Sequence, residues 1–272
     1  MNNYNTPKET IEELILIWEQ KVNKPIIATL ILSFLAWAYI WFWAQIATVV
    51  WTWSQDILWF GLTKILMWWV FSVALMMVII AWAELFTWNN LIVNALMQKK
   101  VTWKQLWKNW IIVFFANFIW AVFIAFLVYK ANLWTMSDNN LWLTALKIAN
   151  DKVNLDFIEA LTRWILCNWL VCLAVVMAIS AKDTVWKIFW IFFPIMTFVA
   201  CWFEHSIANM FFIPMWIFLK EQSILILNSW LDLSNLTWIN FVSSNLIPVT
   251  IWNIIWWSIF VWMLYSLAYI KK

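Results

Sequence analysis

Long apolar stretches separated by short polar segments run through most of the chain. Residues 1–24 are polar, and six apolar stretches follow them. About 20 apolar residues are enough to cross the hydrocarbon core of a bilayer. The pattern therefore predicts an all-α polytopic membrane protein whose six transmembrane helices occupy residues 25–272. The six stretches are residues 26–50, 57–97, 110–129, 157–180, 188–219 and 238–270.

Residues 1–24 predict a separate cytoplasmic amphipathic helix ahead of the first span. Thr6, Pro7 and Glu9 form a capping-box pattern with proline at the first helical position. Apolar residues then recur at helical spacing from Ile11 to Val22, which favours a helix lying on the membrane or on a neighbouring subunit. Four glutamates and the lack of an apolar core argue against a signal peptide.

Polar residues interrupt the second and fifth stretches, both of which are too long for one simple span. The first interruption covers residues 84–90, and the second begins at residues 204–206. Non-helical backbone at membrane depth is tolerated only where protein or a water-filled path satisfies it. Each interruption falls in the middle stretch of a group of three, and the two groups insert with opposite topology. The sequence therefore predicts an inverted repeat whose broken second and fifth helices meet near the midplane of a channel or transporter.

Lysine residues indicate how the chain is oriented. Residues 98–108 carry four lysines and no acid, the loop between the fourth and fifth stretches carries two more, and the chain ends in Lys271-Lys272. The positive-inside rule places these segments in the cytoplasm, and each of the other three loops contains an acid. We therefore expect a multi-pass protein of the bacterial inner membrane with both termini in the cytoplasm.

Composition and charge narrow the function classes further. The chain is 66% hydrophobic and only 11% charged, against about 25% charged in an ordinary soluble domain. Its net charge of +3 is too small for a nucleic-acid-binding face. Cys167, Cys172 and Cys201 lie inside apolar stretches and predict neither a disulfide framework nor a metal site.

The counts of tryptophan and glycine are abnormal: 29 Trp and a single Gly, Gly61. A chain of this length would ordinarily carry roughly 19 Gly. Tryptophans such as Trp37 and Trp41 occur in mid-span at packing intervals, where small residues normally let helices approach. We therefore predict that most of these tryptophans are glycines encoded by UGA, which some bacterial lineages read as glycine. A genuinely tryptophan-rich protein is the alternative.

Read with glycine at the suspect tryptophans, the chain resembles the formate/nitrite transporter family over nearly its whole length. The resemblance implies an aquaporin-like fold, five subunits around an axis and one pore per protomer. It also implies transport of formate, nitrite or hydrosulfide, sometimes with a proton, and no cofactor. The segments that carry it are residues 35–43 (LAWAYIWFW), 84–87 (ELFT), 108–110 (KNW), 157–160 (FIEA), 165–168 (ILCN), 203–210 (FEHSIANM) and 245–254 (NLIPVTIWNI).

His205, the only histidine in the sequence, is predicted to lie in mid-membrane. An ionisable residue inside a span is a functional-site hypothesis by default, although a structural hydrogen bond between helices is the alternative. The resemblance implies that His205 lines the pore centre, that the hydroxyl of Thr87 faces it, and that the amide of Asn168 lies nearby. It also implies that Lys152 lies on the outer side near the pore, where its charge would concentrate anions.

Phe71, Leu75 and Phe198 alone would pass for ordinary core residues. The resemblance implies that they constrict the pore above and below the histidine, and hydrophobic constrictions exclude water and bare ions. Glu84 and Glu204 each precede a break. We interpret these two, together with Asn209, as residues that orient the broken loops, and not as proton donors.

The favoured function is a channel or secondary transporter for a small monovalent anion, with formate first and nitrite or hydrosulfide as alternatives. An intramembrane enzyme using His205 and Glu204 is disfavoured, because adjacent helical residues point about 100° apart. A pore for neutral solutes would be expected to carry repeated Asn-Pro-Ala motifs, which the sequence lacks. Expected partners are the anion, the bilayer and further copies in a homopentamer, without nucleic acid. A soluble enzyme that docks on the N-terminal helix is left open.

Overall fold

The computed structural model describes residues 3–220, 231–256 and 268–269. Within these ranges the chain is helical, and the isolated β-bridge between Tyr4 and Ala181 is the one extended pairing. Short 3₁₀ segments lie at Asn90–Ile92 and Leu133–Thr135, and a π-helical segment at Phe241–Leu246. The α-helices are α1 (Pro7–Val22), α2 (Ile26–Ser54), α3 (Phe60–Ile80), α4 (Phe86–Asn89), α5 (Val93–Met97), α6 (Trp103–Lys130), α7 (Asn140–Val153), α8 (Phe157–Ser180), α9 (Thr184–Ala200), α10 (Ser206–Leu219), α11 (Trp238–Asn240) and α12 (Ile247–Trp256).

Four helices of the described part, α2, α3, α6 and α8, are long and apolar enough to cross a membrane. Two shorter apolar helices, α9 and α10, divide the fifth apolar stretch. α6 begins ahead of its predicted start at residue 110, because Thr102 and Gln105 form a capping box in front of it. Most of the end of the sixth stretch, residues 257–267 and 270, lies outside the described residues, as do Lys271 and Lys272.

A helix that the sequence pattern did not predict, α7, occupies the polar segment between the third and fourth apolar stretches. Its residues Leu141, Ala145 and Ala149 recur at a spacing of four and are buried. This face packs α7 against α2 and α10. α7 thereby fixes the position of Lys152, which lies in its last turn.

α3 packs against both α2 and α9. α8 lies against α9 and α12, and α10 lies against α6 and α7. Outward-facing residues of α6, among them Ile111, Phe115 and Ile119, are apolar and exposed at intervals of four. An apolar outer face of this kind would favour aggregation in water and suits contact with lipid.

The segment ahead of the first long helix is tied to the rest of the protein at both of its ends. α1 begins with the predicted capping box, in which Thr6 and Glu9 bond each other's backbone N–H groups. Ahead of it, the backbone N–H of Asn5 donates to the carbonyl of Ser180 at 2.7 Å. Leu14 and Trp18 of α1 are fully buried. The segment is therefore packed as part of the fold.

Candidate functional site

The two interrupted stretches share an unusual backbone turn. Residues 81–85 separate α3 from α4, and residues 201–205 separate α9 from α10. In each gap one tryptophan has a positive φ, 56° at Trp82 and 53° at Trp202. Glycine enters this left-handed region without steric cost, whereas a bulky side chain is disfavoured there. The backbone therefore favours glycine at both positions, in line with the abnormal composition.

A cluster of five polar residues, the Glu84 cluster, holds the first interruption. The Glu84 carboxylate is fully buried and lies 2.7 Å from the Lys24 ammonium and 3.1 Å from that of Lys21. The Asn89 amide donates to the same carboxylate at 2.7 Å and to the Asn109 side chain at 2.9 Å. Burial lowers the pKa of Lys21 to about 8, although the Glu84 carboxylate opposes that shift.

A second cluster, the Glu204 cluster, holds the other interruption. The Lys152 ammonium lies 2.8 and 2.9 Å from the two oxygens of the Glu204 carboxylate. The Asn209 amide donates to that carboxylate at 2.8 Å and to the Asn245 side chain at 3.0 Å. The Asn245 amide in turn donates to the backbone carbonyl of Lys152 at 3.4 Å.

The two clusters repeat one arrangement. In each, a glutamate is the fourth residue of the short gap, an asparagine five residues later donates to its carboxylate, and a lysine pairs with it. Removing one partner of a buried ion pair costs about 3–5 kcal/mol, because the other charge is left unpaired. The geometry supports the interpretation that Glu84, Glu204 and Asn209 orient the interrupted segments, and that role stays a prediction.

Thr87 and His205 face each other from the two interruptions. The hydroxyl oxygen of Thr87 lies 3.4 Å from Nε2 of His205, and both side chains are buried. His205 is the N-cap of α10, where its Nδ1 accepts a hydrogen bond from the backbone N–H of Ala208 at 3.2 Å. In a neutral imidazole one nitrogen accepts and the other carries the proton. The cap therefore assigns the proton to Nε2, the nitrogen that faces Thr87.

Apolar side chains enclose the central histidine. The rings of Phe71 and Phe198 meet edge to face, with centroids 6.0 Å apart, and Phe198 stacks on the His205 ring at 5.9 Å. Phe71, Leu75, Phe198 and His205 line a small, almost wholly apolar cavity. The structure thus brings the three predicted constriction residues to the predicted central histidine.

Two further cavities lie on the Lys152 side of this constriction. Phe71, Phe198 and His205 also line the first of them, the central cavity, together with Lys152 and Trp202. The second, the wide cavity, shares Lys152 and Trp202 with it. Its charged lining residues are Lys147, Asp151, Lys152, Arg163 and Glu204. Arg163 pairs with Glu159 one turn away, and burial raises the pKa of Asp151.

Asn168 lies on α8, where its amide donates to the side chain of Asn253 on α12. It is buried but is not among the residues that line the cavities around His205. No hydrogen bond joins Asn168 to His205 in the described residues. The structure therefore shows a contact between helices, and a role in anion binding stays a prediction.

Several residues of the site were missed by the sequence analysis. Asn117 of α6 accepts from the backbone N–H of Phe86 at 2.9 Å and donates to the carbonyl of Glu84 at 3.1 Å, so it holds the end of the first gap and the start of α4 against α6. Asparagine inside an apolar stretch is a signal that could have identified it. Lys21 and Lys24 gave no such signal, because they lie in a polar segment. The missed residues are Lys21, Lys24, Asn89, Asn109, Asn117, Asn245 and Asn253.

A sequence model described as "Formate/nitrite transporter" matches residues 8–267. The chain belongs to the formate/nitrite transporter family. A "Probable formate transporter" of Methanothermobacter thermautotrophicus is 37% identical over 100% of this chain and 99% of its own length. The "Formate channel FocA" of Escherichia coli (strain K12) is 38% identical over 78% of this chain and 76% of its own.

Two solved structures share the fold of this chain. A "Pentameric formate channel with formate bound" superposes with a TM-score of 0.75 at 32% identity and covers 90% of this chain and 98% of its own. An "FNT family ion channel" superposes with a TM-score of 0.80 at 24% identity over 95% of this chain and 98% of its own. The predicted membership of the formate/nitrite transporter family is confirmed, and these relatives are described as transporters and channels.

Proposed function

We propose that this protein is a channel for small monovalent anions, with formate as the first candidate. The observation that carries the proposal is the Thr87–His205 pair, which brings a hydroxyl within reach of the imidazole that lines the small cavity with Phe71, Leu75 and Phe198. The names of its relatives support formate over nitrite and hydrosulfide, which remain the alternatives. Those relatives are described as transporters and channels, which supports a function without enzymatic chemistry.

The proposed architecture is a homopentamer of six-span subunits in the bacterial inner membrane, with both termini in the cytoplasm. Each subunit consists of an N-terminal helix in residues 1–24 and a pore domain in residues 25–272. The matching Glu84 and Glu204 clusters support an aquaporin-like inverted repeat with broken second and fifth helices. The solved relative described as pentameric supports five subunits.

An anion would enter from outside through the wide cavity. Lys147, Lys152 and Arg163 line that cavity with Asp151 and Glu204, so cations outnumber acids on its wall. A cavity lined by an excess of one sign concentrates ions of the other sign. On the opposite side of the site, Lys24 of the Glu84 cluster is partly exposed and takes the equivalent place.

At the constriction the anion must lose water. A bare charge between apolar rings is costly unless hydrogen bonds replace its hydration. The N–H at Nε2 of His205 and the hydroxyl of Thr87 can both donate to one carboxylate oxygen that lies beside the pair and bridges them. Because Nδ1 is engaged by the backbone N–H of Ala208, we assign His205 the role of a hydrogen-bond donor. A proton relay through both ring nitrogens would require that cap to break.

Flux measurements in proteoliposomes test the proposed function. The pure protein should pass formate faster than glycerol, and a panel with nitrite and hydrosulfide should rank the alternatives. A matched Phe198→Ala variant should lose the discrimination against glycerol, because it widens the constriction. Equal formate flux in protein-free liposomes, or a preference for glycerol, would exclude an anion channel.

A further inference from the structure

Lys64 of α3 is a buried lysine that the proposed pathway does not use. It lies one turn from the start of the helix and is 3% exposed. Lys21, Lys24 and Lys152 each pair with a glutamate. The Lys64 ammonium, in contrast, makes neither a hydrogen bond nor an ion pair within the described ranges. A lysine so near a helix end normally extends to water, so its inward direction requires an explanation.

Three aromatic rings surround the Lys64 ammonium. Its nitrogen lies 3.4 Å from the ring centroid of Trp202, 4.4 Å from that of Trp51 and 5.1 Å from that of Phe60. Cation–π contacts offset part of the free energy lost when an ammonium leaves water. They leave its charge without a counter-ion, which is the most costly state for a buried cation. An anion bound next to the cage would therefore stabilise the charged form of Lys64.

The same three rings form part of the wall of the wide cavity. Trp51, Phe60 and Trp202 all line it, together with Lys147 and Lys152. Trp202 also lines the central cavity beside His205. The Lys64 ammonium thus lies directly behind the wall, at the junction of the two cavities, and the Trp202 indole is the nearest group in front of it.

Trp202, whose ring separates Lys64 from the two cavities, has an unfavourable backbone conformation. Its φ of 53° is one that bulky residues rarely adopt. Glycine, which this backbone favours, would leave nothing of the ring between the ammonium and the cavity. When the Trp202 ring is displaced or absent, the Lys64 ammonium is therefore exposed to the wide cavity as a second positive charge beside Lys152.

We propose that Lys64 is a second anion-binding position, at the junction of the wide and central cavities, and that the residue at position 202 controls access to it. The ligand class is a small monovalent anion such as formate. This inference rests on the proposed function and adds a binding step between Lys152 and the constriction.

A double-mutant cycle tests the position. Trp202→Gly should lower the half-saturating formate concentration for influx by about tenfold, because it uncovers a focused positive charge. Lys64→Met in the Trp202→Gly background should remove that gain, whereas Lys64→Arg should retain it. Lys130→Met is the matched control, since Lys130 also lies against two aromatic rings, Phe126 and Tyr129, but does not line either cavity. It should leave the half-saturating concentration unchanged.

A second measurement separates this inference from the proposed function. Formate should raise the thermal unfolding midpoint of the detergent-solubilised Trp202→Gly protein, because a ligand of the folded state stabilises it, and Lys64→Met should abolish that shift. If the shift depends on Lys64 but no variant passes formate, the binding position stands and the channel proposal fails. If the lower half-saturating concentration and the thermal shift of the Trp202→Gly protein both survive Lys64→Met, Trp202 is only an obstruction and the inference is overturned.

Discussion

At the scale of single residues, the two nitrogens of His205 face different partners. Nδ1 accepts the N–H that begins α10, and Nε2 faces Thr87. Asparagine offers polar atoms near the position of Nδ1 but none near Nε2, whereas glutamine reaches the position of Nε2 but leaves that of Nδ1 apolar. The two substitutions therefore separate the structural role of the ring from its proposed role in the pore.

We expect His205→Asn to keep the cap and lose the donor. Its unfolding midpoint should stay near that of the parent, while formate flux should fall by about tenfold to hundredfold, the value of a hydrogen bond to a charged group. His205→Gln should keep most of the flux and lose about 1 kcal/mol of stability with the cap. Flux assays and thermal unfolding of both proteins check these expectations.

The pH dependence of formate flux can be compared between the parent protein and His205→Gln. A protonated imidazole carries N–H on both nitrogens, so Nδ1 would face the N–H of Ala208 without accepting it. The parent should therefore change its formate flux below neutral pH, after subtraction of the protein-free leak of formic acid, and His205→Gln should show a flat profile from pH 5 to 8. Identical profiles would contradict a change in the protonation state of His205 between pH 5 and 8, and would leave the loss of flux in His205→Asn as the test of its donor role.

Electrostatic attraction of the anion by Lys152 has to be tested together with its ion-pair partner Glu204. Lys152→Ala alone leaves a buried carboxylate unpaired, so we compare the double variant Lys152→Ala with Glu204→Gln against Glu204→Gln alone. The lysine-free protein should carry less formate at low ionic strength, and the deficit should shrink in high salt as screening weakens the attraction. A deficit that is equal at all salt concentrations would contradict electrostatic steering.

At the scale of secondary-structure elements, the tryptophans divide into two groups. Trp110 donates its indole N–H to the carbonyl of Asn89 at 2.9 Å, and Trp103 is exposed at the start of α6. Trp37 and Trp88 are fully buried, yet their indole N–H groups have no acceptor in the part of the chain that the structure describes. A buried donor without an acceptor costs about 1–3 kcal/mol, which glycine would avoid.

The nucleotide sequence should carry this division. We expect UGG codons at Trp103 and Trp110 and UGA codons at nine other tryptophans. A UGG codon at those nine positions would contradict the recoding. Trp256 and Trp257 lie in the stretch where the description of the chain ends. The codons predicted to be UGA are those of Trp37, Trp41, Trp43, Trp82, Trp88, Trp202, Trp252, Trp256 and Trp257.

A protein-level test uses the positive φ values. Trp82→Gly and Trp202→Gly should each raise the unfolding midpoint, because glycine relieves a conformation that costs on the order of 1–3 kcal/mol for other residues. Trp103→Gly, at the first position of α6, is the matched control and should not raise it, since glycine lowers helix propensity by about 1 kcal/mol. Equal effects at all three positions would contradict the inference that the backbone favours glycine at positions 82 and 202.

At the scale of the whole molecule, the N-terminal segment closes the fold. Lys21 and Lys24 supply both ammonium groups of the Glu84 cluster. Deleting residues 1–24 should therefore leave a buried carboxylate without a cation and lower stability by about 3–5 kcal/mol. The same deletion in a Glu84→Gln protein should cost less, and thermal unfolding of the four proteins measures the difference. Equal losses would assign the effect to apolar packing of α1 alone.

Much of this architecture follows from local pattern. The bounds of α8 and the capping box of α1 could be predicted because apolar periodicity and capping act within a few residues. α7 could not, since its apolar face lies in a polar segment and is specified by packing on α2 and α10. The pairing of Lys21 with Glu84 joins positions far apart in sequence, and a pattern of hydrophobicity carries no information about such partners.

The bonds between residues 3–5 and residues 180–182 have a consequence for the order in which the protein is made. Residues 3–5 find these partners only after α8 has been synthesised. The partners of Lys21 and Lys24 in the Glu84 cluster, by contrast, are all present once Asn109 has been made. The C-terminal end of α1 can therefore be fixed early in synthesis, whereas its N-terminal end is fixed only after the fourth long helix.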